Sequence, residues 1–100
     1  MATSKEFRDF VLEQLSGLKE ITCRPMMGEY LLYYNGLLFG GIYDDRLLIK
    51  KTPTNQKFEL EDQIPYNGAK PMACVQNLDH QEYLQEVILE TCQGLPTKKK

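Results

Sequence analysis

The chain has 100 residues, 42% of them hydrophobic and 26% charged, with a formal net charge of −2; that length and balance give one globular domain with its own core. No segment approaches the roughly 20 apolar residues of a membrane span, and Met1–Glu6 lacks the charged-then-apolar pattern of a signal peptide, so a cytoplasmic location is expected. Lys98, Lys99 and Lys100 form a basic tail, and residues 1–97 alone carry 9 basic against 14 acidic residues, an acidic body unsuited to broad, non-specific phosphate binding.

In chain order, Thr3 with Glu6 reads as a capping box that starts a helix. Phe7, Phe10, Val11, Leu15 and Leu18 follow at helical spacing as one apolar stripe, ended near Gly17. Ile21–Arg24 is a short strand stopped by Pro25. Glu29–Tyr34 is a stronger strand, Asn35-Gly36 is a two-residue hairpin turn that tolerates positive φ, and Leu37–Tyr43 runs back. Asp44-Asp45 turns again into a strand over Arg46–Lys51. There Leu47 and Ile49 alternate with Arg46, Leu48 and Lys50, which predicts one buried face and one wet face. The Gly40-Gly41 pair marks a bulge, a bend or a close backbone approach, and the expected role is a bend that wraps the sheet round a helix.

Thr52-Pro53-Thr54 opens a short second helix that runs through Phe58 and Leu60 to about Asp62. Ile64–Pro71 is a loop and Met72–Gln76 a strand. Asp79 with Glu82 repeats the N-cap pattern for a last helix, with Tyr83, Leu84, Val87, Ile88 and Cys92 on its apolar face and Gly94 and Pro96 at its end. The fold class is therefore α+β, an antiparallel β-meander with N-terminal and C-terminal helices packed on it, in the order α-β-β-β-β-α-β-α. One domain is expected over 1–97, with 98–100 as the tail.

No chemistry assembles from these residue types. The lone His80 sits at a helix start and reads as a solvated first-turn residue. Cys23, Cys74 and Cys92 are odd in number and widely spaced, so free thiols are expected rather than a disulfide framework or a zinc site. No glycine-rich phosphate loop is present. The sequence thus predicts no enzyme, no cofactor and no metal. Arg46, Lys50 and Lys51, with Arg24 close by and tyrosines between them, read either as a nucleic-acid platform or as an edge strand kept soluble by charge.

Arg24-Pro25-Met26-Met27-Gly28-Glu29, Tyr33-Tyr34-Asn35-Gly36, Phe39-Gly40, Asp44-Asp45-Arg46-Leu47 and Pro71-Met72-Ala73 together resemble the N-terminal domain of the TfoX (Sxy) family. The resemblance covers nearly the whole chain. It implies an α+β fold similar to that of type III secretion chaperones, often dimeric, in a family that regulates competence and transcription and offers no catalytic residues to carry over. Met27-Gly28-Glu29 stands where the family often has Phe-Gly-Gly, which implies a subgroup. A stand-alone form is expected, without the helical C-terminal domain of the longer regulators.

Tyr30, Leu32 and Tyr34 fall on one face of their strand, and Leu31 and Tyr33 on the other. Both faces are apolar, so one meets the helices and the other is open to a protein partner or a second copy. The expected interaction surface comprises Arg24, Glu29, Tyr33, Asp45, Arg46, Lys50 and Lys51. The expected function is a non-enzymatic regulatory module acting through protein contacts. Two alternatives stand beside it: direct nucleic-acid binding through the basic strand and the Lys tail, and a small-ligand site or enzyme at the Gly40-Gly41 bend.

Overall fold

The computed structural model describes residues 3–95, so Pro96 and the expected basic tail lie outside the described residues. Its elements are α1 (Lys5–Gln14), β1 (Ile21–Met26), β2 (Glu29–Tyr34), β3 (Leu37–Ile42), β4 (Leu47–Ile49), a 3₁₀ segment (Pro53–Phe58), β5 (Glu61–Gln63), β6 (Met72–Val75) and α2 (Gln81–Gln93). The strands form one antiparallel sheet in the order β1-β2-β3-β4-β6-β5. The α+β meander stands, with one strand more than the sequence suggested. Glu61–Gln63 pairs with β6, where the sequence had the second helix running to Asp62. That helix is short and tight, capped by Thr52 with Pro53 at its start.

Three tight turns fold β1 to β4. Met27 and Gly28 (φ 51° and 87°), Asn35 and Gly36 (52° and 83°), and Asp44 and Asp45 (53° and 57°) are all left-handed. Two consecutive left-handed residues give the turn whose twist matches paired strands. Pro25 does not stop β1. It pairs with Tyr30, and β1 is an edge strand, where a proline forfeits no ladder hydrogen bond on its outer side.

Both helices lie on one face. Val11 and Leu15 of the first helical region, and Leu84, Val87, Ile88 and Cys92 of α2, pack with Leu32, Phe39, Ile42, Leu47, Ile49, Ala73 and Val75 of the sheet. Each large side chain buried here is worth about 1.5–3 kcal/mol. Tyr30 and Tyr34 pack against this core from β2, as the alternation predicts.

The glycine pair resolves into two devices. The β2–β3 register slips by one residue between Leu32 and Tyr33, and Phe39 is the extra residue of the bulge. At Gly40 a Cβ would lie 2.3 Å from the Leu48 carbonyl oxygen, and at Gly41 2.5 Å from that of Tyr30. The neighbouring strands therefore come too close for any side chain at these positions.

β4 departs from the expected wet face: Leu47, Leu48 and Ile49 are all fully buried. It is central rather than an edge, with β3 on one side and β6 on the other. Leu48 aligns with Gly41 and Cys74, and Tyr43 closes over this small-residue row with Met26, Leu31 and Met72 around it.

The helix caps also differ. Ser4, not Thr3, caps α1, its hydroxyl accepting from the Phe7 amide at 3.1 Å. The helix ends at Gln14, three residues before Gly17. His80 stands at the N-cap of α2 in place of Asp79, with no side-chain cap bond, and Gly94 ends α2 in the right-handed region. A Cβ at Gly94 would strike Thr54 and Thr52, so this glycine serves packing rather than a left-handed cap.

Candidate functional site

The face of the sheet opposite the helices is the candidate site. Neither helix contributes a residue to its apolar cluster of Tyr43, Leu48 and Cys74, ringed by Met26, Leu31 and Met72. Tyr33 shares this face with Leu31 by strand alternation and is half-buried. The exposed Arg24 of β1 holds its guanidinium 6.0 Å from the centre of the Tyr33 ring, a cation–π pair at an open site.

Three of the expected surface residues serve the framework. Glu29 accepts the Thr3 hydroxyl at 2.6 Å and the Asp44 amide at 3.0 Å. Asp45 accepts the Ser4 amide at 2.9 Å, and its own amide donates to Thr3 Oγ1 at 3.2 Å. Thr3 is thus drawn away from a capping box because it ties the N-terminus to the Asp44-Asp45 turn.

Arg46 is the third. It donates to the Tyr43 carbonyl (3.2 Å), Gln63 Oε1 (2.7 Å) and the Ile64 and Pro65 carbonyls (3.3 and 3.4 Å). These bonds fasten the start of the 64–71 loop to the sheet. Charge-assisted bonds of this type contribute about 1.5–3 kcal/mol. Arg46→Gln is therefore expected to lower stability by about 2 kcal/mol, read as a reduced urea midpoint at constant m-value. Lys50→Gln, at an exposed position, should stay within about 0.5 kcal/mol of the parent.

The loop fastened by Arg46 builds a concavity on this face. Tyr66 leans on Tyr43, ring centres 6.2 Å apart at 55°. Between the loop and the sheet lies a cleft of about 380 Å³, lined by Leu38, Gly40, Tyr43, Pro65, Tyr66, Ala69, Pro71 and Met72, and by Lys50, Lys51 and Lys70. Burial raises the pKa of the Tyr43 phenol, which stays a neutral donor. Lys51 pairs with Asp62 at 2.7 Å, both side chains about half exposed. The structure thus gathers Lys50 and Lys51 at this cleft and leaves Arg24 with Tyr33 nearer the β1 edge.

Sequence reading passed over Leu38, Tyr43, Tyr66, Lys70 and Met72 as site residues. Gly40 was the available signal, a glycine inside a strand at the place where the cleft forms. Pro65, Tyr66, Ala69, Lys70 and Pro71 come from a loop 25 to 31 positions downstream of Gly40, and nothing local announces that it folds back.

The remaining reactive groups are quiet. Cys74 and Cys92 are buried and Cys23 is half-buried. Burial raises all three thiol pKa values, that of Cys92 to about 11, the reverse of what a redox-sensing thiol needs. Among the described residues no three His, Cys, Asp or Glu side chains come together as a metal site, and no helix is long and apolar enough to cross a membrane.

The TfoX N-terminal domain model matches residues 13–85, from within α1 to the first half of α2. The chain belongs to the TfoX N-terminal domain family. The match spans the hairpins, the 64–71 loop and the cleft they enclose, so the candidate site lies inside the family domain. A curated relative, an uncharacterized 12.7 kDa protein in the trpE 5′ region of Spirochaeta aurantia, is 29% identical over 102 residues, covering 99% of this chain and 89% of its own.

Proposed function

We propose that this TfoX-type domain is a non-catalytic regulatory module in the control of transcription or competence, that it acts through protein contacts, and that one such contact is with a second copy of itself. The observation that carries the self-contact is a single cross-strand row on the face opposite the helices. Arg24 aligns with Leu31, Leu31 with Gly41, Gly41 with Leu48, Leu48 with Cys74, and Cys74 with Glu61. The row is cationic at one end, apolar in the middle and anionic at the other, over about 24 Å at the usual strand spacing.

A two-fold axis in the plane of the interface, running along the central strands, sets Arg24 of each copy opposite Glu61 of the other. The half-buried Met26, Leu31 and Met72 around the Tyr43-covered middle would then meet their counterparts. Such self-complementarity is what a two-fold homodimer requires. Direct nucleic-acid binding finds less support on this face, because Arg46 is held by the loop and Lys51 by Asp62.

Sedimentation equilibrium tests the self-contact. The parent chain should dimerise, Arg24→Glu should weaken dimerisation at least about tenfold through like-charge repulsion with Glu61, and the double variant Arg24→Glu, Glu61→Arg should restore it. A parent that stays monomeric throughout, or a single variant that dimerises like the parent, defeats the proposal.

A further inference from the structure

The cleft beneath the 64–71 loop has features that a protein-contact surface does not need. At about 380 Å³ it is of small-ligand size. Its walls are mainly apolar: Leu38 and Met72 from the sheet, Pro71 and Ala69 from the loop, and the tilted Tyr43–Tyr66 pair. Its charged lining is of one sign. Lys50, Lys51 and Lys70 contribute, and among the described residues no carboxylate does. Among the described residues Lys51 has Asp62 as a partner, whereas Lys50 and Lys70 make no ion pair.

This concentration of cations stands out in a body where residues 1–97 carry 14 acidic residues against 9 basic ones. A concave site with low-dielectric walls focuses such a field and raises the local concentration of counter-charge. An anion at the mouth would gain two unpaired ammonium groups. An apolar body behind it would bury surface against the tyrosines and Met72.

We propose that this cleft binds a small organic anion, with its apolar body between Tyr43, Tyr66 and Met72 and its carboxylate or phosphate on Lys50 and Lys70. The inference shares the Tyr43 and Met72 face with the homodimer, but its charged determinants are Lys50 and Lys70 rather than Arg24 and Glu61. Bound at the loop held by Arg46, such a ligand would brace Ile64–Pro71 against the sheet.

Amide chemical-shift titrations of the full chain test this with four probes: benzoate, phenyl phosphate, neutral benzamide and inorganic phosphate. Saturable shifts at Gly40, Ala69, Lys70 and Met72 are expected with benzoate or phenyl phosphate, and the tighter of the two identifies the head group. Benzamide, lacking the charge, should bind about tenfold more weakly. Inorganic phosphate, lacking the apolar body, should not saturate.

The double variant Lys50→Gln, Lys70→Gln should weaken the organic anion at least about tenfold, while Arg24→Gln leaves it unchanged. Equal affinity for benzoate, phenyl phosphate and benzamide overturns the proposal. So does parent-like binding by the lysine variant, or the absence of cleft shifts with every probe at tens of millimolar. The dimer is read by sedimentation of the same samples, so failure of one reading leaves the other separately decided.

Discussion

Gly40→Ala is expected to destabilise the domain by about 3 kcal/mol or more. The new Cβ would lie 2.3 Å from the Leu48 carbonyl oxygen and 2.7 Å from Ile49 Cα. Both atoms belong to the backbone of β4, the central strand, whose three side chains are fully buried. A flexible side chain can swing aside, but a strand held by β3 and β6 cannot shift without breaking two ladders. The loss is large beside the roughly 5–15 kcal/mol that holds a small domain together.

Gly36→Ala is the comparison. Gly36 has φ +83° but nothing among the described residues within 4 Å of the added carbon, so only left-handed strain of about 1–2 kcal/mol applies. Urea denaturation of the two variants measures the difference. A Gly40→Ala loss no larger than that of Gly36→Ala would show that the strands do not approach as described.

Asn55→Leu should cost about 2–4 kcal/mol. Asn55 is only 3% exposed and uses its whole amide. Its Nδ2 donates to the Lys50 carbonyl at 2.9 Å and to Thr91 Oγ1 at 2.8 Å, and its Oδ1 accepts the Thr52 amide at 3.1 Å. Its own amide donates to Thr52 Oγ1 at 3.2 Å. One side chain therefore joins the end of β4, the 3₁₀ segment and α2. Leucine is of similar size but would leave the Lys50 carbonyl and the Thr52 amide without their partner, and an unsatisfied buried group costs more than the hydrogen bond contributed.

Asn55→Asp adds a sign to the test. Its carboxylate would face the Lys50 carbonyl, so its pKa in the folded state rises above the unfolded value of about 3.9. Between those two pKa values the folded state holds more protons, so stability falls as pH rises. This variant should be less stable at about pH 7 than near pH 4, relative to the parent at each pH. A variant no worse at neutral pH would place Asn55 outside this bonding network.

What the sequence by itself determined was local. Asn35-Gly36 and Asp44-Asp45 dictate tight turns because left-handed φ is tolerated by few residues, and the meander follows from them. Alternation placed Tyr30, Leu32 and Tyr34 against Leu31 and Tyr33, and the stripes at Val11–Leu15 and Leu84–Cys92 named the helical share of the core. The family motifs sit in the same stretch, which explains why membership could be read without a structure.

Tertiary structure decided everything that depends on distant neighbours. Thr3 binds Glu29 and Asp45, 26 and 42 positions away, and so leaves the cap to Ser4. Leu48 is buried because Tyr43 closes over Gly41 and Cys74, not because of anything in its own strand. β5 is too short and polar to announce itself, and it exists through pairing with β6. Arg46 resembles a surface cation until Gln63, Ile64 and Pro65 return to meet it. The cleft at Gly40 arises the same way, from a loop whose own residues specify only that it turns. Periodicity and turn chemistry encode one residue's relation to its near neighbours, whereas burial and binding belong to pairs that only the folded chain brings together.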